Sequence, residues 1–303
     1  LAGLAWLSVG SDLTQGAYKD NVSRAASFVG GWCERPTEGG RADPRMQGRG
    51  NWNQKNWGFA HAAIFLGELH ARTPTQEVRD ALHAAAKTLV ESQETTGGWA
   101  HGPGGPNGLG YVELNIVTGL ALCGLGMAQK AGYEIPAEVL DKAEAYLKAS
   151  SSGDGGIGYS DKPGQKGQGN IGRTAACYLG YVLLGRGKSG WGSKMKKYAE
   201  RTADRVLGGH ASLMQHILLA GVSAHAVGKS AKAKYWKKLE RDMILARAPD
   251  GSLQPRPWHE SLSMGSNSDV TFGQIWTTAA WAVVLGCEPD GATHPGLPAW
   301  LGK

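Results

Sequence analysis

A short glycine-centred phrase recurs along the chain: Gly30-Gly31-Trp32, Gly97-Gly98-Trp99, Gly155-Gly156-Ile157, Gly208-Gly209-His210 and Asp250-Gly251-Ser252-Leu253. Each closes one segment of helical period and precedes another. Recurrence at this spacing marks a tandem array, whose units complete their cores against their neighbours. Between the phrases lie two kinds of segment. Leu1 to Val9, Trp57 to Leu69, Leu114 to Gln129, Ile171 to Leu184, Leu213 to Val227 and Val270 to Leu285 are dense in apolar and small residues. Such all-round apolarity belongs to a buried helix. Tyr18 to Val29, Gln76 to Ser92, Ala137 to Ala149, Ser193 to Leu207 and Ala231 to Ala246 place charges on one face and Ala, Leu and Val on the other, the pattern of a helix half in water. Alternating stretches are too short for a sheet.

Inner helix, outer helix and glycine turn, repeated six times, predict an all-α fold, an (α/α)6 toroid of helical hairpins. Gly119, Ala121 and Gly124, with Gly172, Ala175, Ala176 and Gly180, would let neighbouring inner helices approach closely. Although 303 residues would ordinarily suggest about two domains, a closed array spends its length on one core, so residues 1–303 read as one toroid domain. Leu1 to Leu7 is an apolar helix start with no capping residue and no charged leader. Residue 1 therefore reads as a boundary inside a longer parent, which we expect to be secreted or periplasmic.

Charge and cysteine content exclude several functions. The net charge of +6 favours an anionic partner, but the Lys194 to Lys197 and Lys229 to Lys238 clusters fall on outer-helix patterns and read as solvent faces. No nucleic-acid reading motif accompanies them, and no apolar run approaches the roughly 18 residues of a membrane span. Cys33, Cys123, Cys177 and Cys287 are too widely spaced for a zinc knuckle or a redox pair, and the last three sit in apolar helices as packing residues. We expect a monomer without metal or cofactor.

The recurring Gly-Gly-Trp turns and the Asp-Gly-Ser-Leu-Gln variant before the last inner helix resemble the repeats of the terpenoid cyclase and protein prenyltransferase toroid superfamily. The segment from Gly97 through Asn115, with Gly155-Gly-Ile-Gly-Tyr-Ser-Asp and Gly169-Asn-Ile-Gly-Arg-Thr-Ala, more closely resembles a branch of that set to which the resemblance attaches no single activity. The likeness runs from Gly30 to Cys287 and implies the toroid. It also implies tests of chemistry. A protonating terpenoid cyclase resembles Asp-x-Asp-Asp around its acid, whereas Ser268-Asp269 is a lone carboxylate here. A prenyltransferase β-subunit resembles an Asp, Cys and His set around zinc, and Cys287 lies at the far end of its helix from Asp269. Both chemistries are disfavoured on these motifs.

Hairpin turns deliver the first turns of all inner helices to one mouth of the ring. The residues brought there are Asn51, Trp52, Asn56, Trp57 and His61; Tyr111, Glu113 and Asn115; Asn170 and Arg173; His210 and His216; and His259, Glu260, Asn267 and Asp269. Read as a carbohydrate-active site on a polysaccharide, this set suits β-elimination of an acidic polymer. There Asn115, Asn170 and Arg173 would neutralise a uronate carboxylate while Tyr111, His61 or His216 removes a proton, with Glu113 and Asp269 as further acid or base candidates. Asn56, Trp57, Trp52, His210 and His259 would bind sugar. The loops Thr37 to Asn56 and Arg256 to Asp269 would wall a groove.

The alternatives are a glycoside hydrolase pairing Asp161 or Asp269 with Glu113 or Glu260, a noncatalytic glycan- or peptide-binding module, and an isoprenoid cyclase-like enzyme, which needs an apolar cavity. Each polar candidate also has a structural role open to it. Asparagines at helix starts commonly cap, and Trp32 and Trp99 would anchor repeats. A rim of apolar side chains with its amides turned inward as braces would remove the sugar chemistry.

Overall fold

The computed structural model describes residues 1–34, 54–102, 112–255, 268–289 and 295–303. Among these residues the chain forms eleven α-helices: α1 (Ala2–Ser8), α2 (Lys19–Cys33), α3 (Lys55–Arg72), α4 (Gln76–Glu91), α5 (Asn115–Lys130), α6 (Ala137–Ser150), α7 (Ile171–Leu183), α8 (Gly190–Thr202), α9 (Leu213–Val227), α10 (Lys229–Leu245) and α11 (Ser268–Leu285). Among them the β pairing consists of two isolated bridges, Ser151 with Ile157 and Arg247 with Leu253, which pin hairpin turns.

Odd-numbered helices form the inner layer. Helix α3 packs on α5, α5 on α7, α7 on α9 and α9 on α11, while α1 touches both α11 and α3, so the inner contacts return to their start. Small residues permit this. A Cβ at Gly119 on α5 would lie 2.6 Å from the Cβ of Ala176 on α7, and one at Gly180 would lie 2.6 Å from the Cβ of Leu122. Every residue of α5 from Asn115 to Ala128 is buried. The even-numbered helices α2, α4, α8 and α10 bury one stripe each; in α8, for example, Met195, Tyr198, Ala199 and Thr202 face inward.

Three hairpin turns share one hydrogen-bond scheme. Gly97 N–H donates to Glu94 O and Glu94 N–H to Gly98 O; the same pairs recur at Gly155/Ser152/Gly156 and Gly251/Ala248/Ser252. The middle glycines hold φ of +98°, +95° and +85°, which a residue with a Cβ resists. The next residue then donates its N–H to a threonine of the following inner helix: Trp99 to Thr118 Oγ1 at 3.0 Å, Ile157 to Thr174 Oγ1 at 2.9 Å and Leu253 to Thr278 Oγ1 at 2.8 Å. Trp99 is fully buried under its turn, with its indole N–H on Leu89 O at 2.7 Å. Gly30-Gly31-Trp32 differs from the expectation, because it lies inside α2 rather than closing a hairpin. The helix continues through both glycines, and Trp32 packs against Phe59 at an interplanar angle of 31° with ring centroids 4.3 Å apart.

The seam of the ring is polar and buried. Glu68 on α3 accepts two bonds from Arg72, at 3.2 and 3.1 Å, and one from Trp300 N–H at 2.8 Å. Arg72 also donates to Leu7 O of α1 and Gly296 O. One ion pair thus ties α1, α3 and the 295–303 segment. All four cysteines are free and buried, and no helix among the described residues is long and apolar enough to cross a membrane.

Candidate functional site

The predicted site residues divide into braces, buried caps and cavity walls. Asn56, Asn115 and Asn170 stand at equivalent places, at the starts of α3, α5 and α7. Their side-chain amides reach into the next repeat: Asn56 Nδ2 donates to Ala100 O at 3.0 Å, Asn115 Nδ2 to Gly158 O at 3.0 Å and Asn170 Nδ2 to Gly208 O at 3.2 Å. The backbone reinforces them, Asn56 N–H bonding His101 O and Asn115 N–H bonding Tyr159 O. Each amide nitrogen thus braces one repeat against the next, while Asn56 Oδ1 and Asn115 Oδ1 are buried without a partner. Replacing Asn115, which is 0% exposed, by Ala strands the Gly158 carbonyl and should lower stability by about 1–3 kcal/mol. Chemical unfolding measures this, and a loss below 0.5 kcal/mol would be too small for a brace.

The carboxylates are likewise structural. Glu113 is buried beneath the turn and accepts from Thr96 Oγ1–H at 3.0 Å, while its backbone carbonyl accepts from Tyr146 O–H at 2.7 Å. Asp269 on α11 caps a different helix: it accepts from Ser212 O–H at 2.6 Å and from Met214 N–H at 2.8 Å, at the start of α9. Burial raises its pKa. Asp161 lies beside Lys162 Nζ at 3.5 Å. None of the three lines the central cavity, so the paired-carboxylate reading has no pair there among the described residues. Trp52, Tyr111 and His259, together with Asn51, Glu260 and Asn267, lie outside the described residues.

Trp57, His61, Arg173, His210 and His216 do converge. They line a cavity of about 330 Å³ at the mouth of the inner ring. Sequence reasoning did not select its other walls, among them His101, Tyr159, Leu114, Ile116, Gln215, Phe272 and Trp276. A signal for two of them was present. His101 and Tyr159 each stand three residues after the second glycine of a turn, in Gly-Gly-Trp-Ala-His and Gly-Gly-Ile-Gly-Tyr, and the repeat aims that position at the mouth. Phe272 and Trp276 flank Gly273, whose φ of +75° breaks α11. A neighbouring wall residue, Ala211, also has positive φ, +65°, and Ser212 N–H folds back onto His210 O at 2.9 Å.

Hydrogen bonds fix the imidazoles. His61 Nδ1 sits 2.8 Å from Trp57 O, a pure acceptor, so Nδ1 carries the hydrogen and Nε2 is a bare lone pair. That Nε2 is buried with no hydrogen-bond partner. Conversely, Trp57 Nε1–H donates to His101 Nδ1 at 3.0 Å, which puts the His101 hydrogen on Nε2. Burial lowers each imidazole to about 4, so both are neutral near pH 7. His216 Nδ1–H donates to Asn170 Oδ1 at 2.9 Å. That oxygen also receives Arg173 N–H, leaving His216 fixed as a second brace as well as a wall.

Arg173 brings the cavity's one guanidinium among the described lining residues. Its Nε and Nη2 donate to the neutral carbonyls of Ile157 and Gln168, and its guanidinium lies 5.7 Å from the Tyr159 ring centroid. Burial lowers its pKa to about 10, which leaves it charged at neutral pH. The remaining walls are mostly aromatic and aliphatic, with Gln54, Ser212, Gln215 and the imidazoles as their polar members, and no carboxylate lines the cavity among the described residues.

A family model described as a domain of unknown function, DUF6288, matches residues 3–286. No curated protein matches the chain in sequence. Among solved structures, the chain is similar to the apo type II terpene cyclase MstE from Scytonema at 18% identity and a TM-score of 0.55, covering 93% of this chain and 79% of that one. A variant of that cyclase in complex with merosterolic acid A, its product, aligns at 17% identity and a TM-score of 0.50, covering 93% and 78%. At such identity the likeness is one of fold: this is an all-helical toroid of the terpene cyclase type.

Proposed function

The chain belongs to the DUF6288 family, and we propose that it is an isoprenoid-transforming enzyme that holds a polyprenyl chain in the central cavity. One observation carries this reading: the walls brought together by Trp57, Tyr159, Phe272, Trp276, Leu114 and Ile116 are aromatic and apolar, with no carboxylate among the described residues. The size, about 330 Å³, falls within the roughly 300–1,000 Å³ of small-molecule sites. A sugar polymer would bring hydroxyls into this lining, and Asn56, Asn115 and Asn170, the amides expected to receive them, are not part of it. The terpene cyclase fold supports the same substrate class.

Such walls suit positive charge developing on a hydrocarbon. Ring faces attract cations through their quadrupoles, by about 0.5–2 kcal/mol each. In this reading His61 Nε2, bare and neutral, is the group of the cavity placed to accept a proton. Asp269, engaged by Ser212 and Met214 outside the cavity, is assigned no part.

The test is incubation of the protein with polyprenyl alcohols, acids and phosphates, followed by extraction and mass spectrometry, beside a panel of uronate polymers. A rearranged isoprenoid is the expected product. Trp276→Ala should weaken polyprenyl binding by about tenfold or more, the scale of a lost aromatic anchor, and Trp276→Phe should recover most of it. Unsaturated uronate released without any isoprenoid binding would replace this reading with the lyase one.

A further inference from the structure

Resting on the isoprenoid reading, we propose that the ligand of this cavity ends in an anionic oxygen group, a carboxylate or a phosphate, seated on Arg173. The guanidinium stands three residues into α7, in a wall whose other described residues include no Asp, Glu, Lys or second Arg. Its bonds to Ile157 O and Gln168 O satisfy hydrogens without cancelling charge. None of the ion pairs among the described residues includes it, and no hydrogen bond among them uses its Nη1. A charge withdrawn from water without a counter-ion is costly, and a ligand anion supplies that counter-ion at the free edge of the fork, where paired donors suit carboxylate and phosphate geometry.

A second feature fixes the ligand's direction. His61 belongs to α3 and Arg173 to α7, with α5 packed between the two helices, so the cavity carries its cation and its unpartnered lone pair on different sectors of the ring. His61 Nε2 is buried without a partner, and an anion is the group it would repel. The head therefore sits at Arg173, beside Tyr159 and His210, and the hydrocarbon runs toward Trp57, His61 and Trp276. Tyr159, tilted against His210 with ring centroids 5.7 Å apart, holds the guanidinium from one side.

Titration of the full chain with farnesol, farnesoic acid and farnesyl monophosphate, read by tryptophan fluorescence, tests this. At least one anion should bind tenfold or more tightly than the alcohol, and which one does identifies the head group. Arg173→Gln should erase that preference while leaving farnesol binding within about threefold, and Arg173→Lys should keep part of it. Equal binding of all three probes overturns the anion seat and leaves the isoprenoid reading standing. If no probe binds, the isoprenoid reading falls, and inorganic phosphate and benzoate decide the seat alone. A thermal shift by either in the wild type that disappears in Arg173→Gln supports it, and no shift by either overturns it.

Discussion

Glu68→Ala should lower the stability of this protein by about 3–5 kcal/mol, the cost of leaving one member of a buried ion pair without its partner. Glu68 is 0% exposed, and its carboxylate collects Arg72 and Trp300 N–H. Without it, the Arg72 guanidinium keeps only the Leu7 and Gly296 carbonyls and the 295–303 segment loses its tie to α3. Lys87 and Glu91 provide the control. They form an i,i+4 pair at 3.8 Å with both side chains well exposed, so Glu91→Ala should cost less than about 1 kcal/mol. Urea unfolding of the two variants separates them; similar losses would mean that the seam is no more than a surface contact.

Acidification should destabilise the protein well above the pH at which ordinary carboxylates titrate, and the cause is the pair of cavity histidines. His61 and His101 each sit at about 4 in the folded state because burial disfavours the charged ring, against about 6.5 in an unfolded chain. Between those values the unfolded chain binds more protons, so stability falls as pH falls through 6.5 and stops falling below about 4. At 1.36 kcal/mol per pH unit, each histidine contributes at most about 2 kcal/mol of loss by pH 5 and about 3 kcal/mol by pH 4. Burial lowers His70 and His225 as well, in the same sense. Glu68 and Asp269 work the opposite way, since burial raises their folded pKa and protonation relieves them. Unfolding free energies at pH 7 and pH 5 should therefore differ by a few kcal/mol in the wild type and by much less in a His61→Gln, His101→Asn double variant. An equal pH difference in both would assign the acid sensitivity elsewhere.

Helix alternation was legible in the sequence because it depends on local period alone. The segment read as Leu213 to Val227 is α9 to the residue, and Ile171 to Leu184 differs from α7 by one position. Turn chemistry was legible at Gly97, Gly155 and Gly251, where positive φ demands glycine. It misled at Gly30 and Gly31, where the helix continues through them. Of the candidate site, Trp57, His61, Arg173, His210 and His216 were found because a toroid gathers its first helical turns at one mouth. Phe272 and Trp276 were missed, since the break in α11 at Gly273 that exposes them to the cavity leaves no trace in hydrophobic period.

By itself, then, the order of residues determined that helices alternate between buried and half-solvated, that glycine turns join them, and that certain first-turn side chains meet. Tertiary structure alone decided what those side chains do there. Asn115 takes its partner, Gly158 O, 43 residues further on, and it is fully buried and does not line the cavity. The difference lies in range: period and turn preference act within a few residues, whereas the partner of a buried polar group is set by whichever backbone the closed ring brings against it.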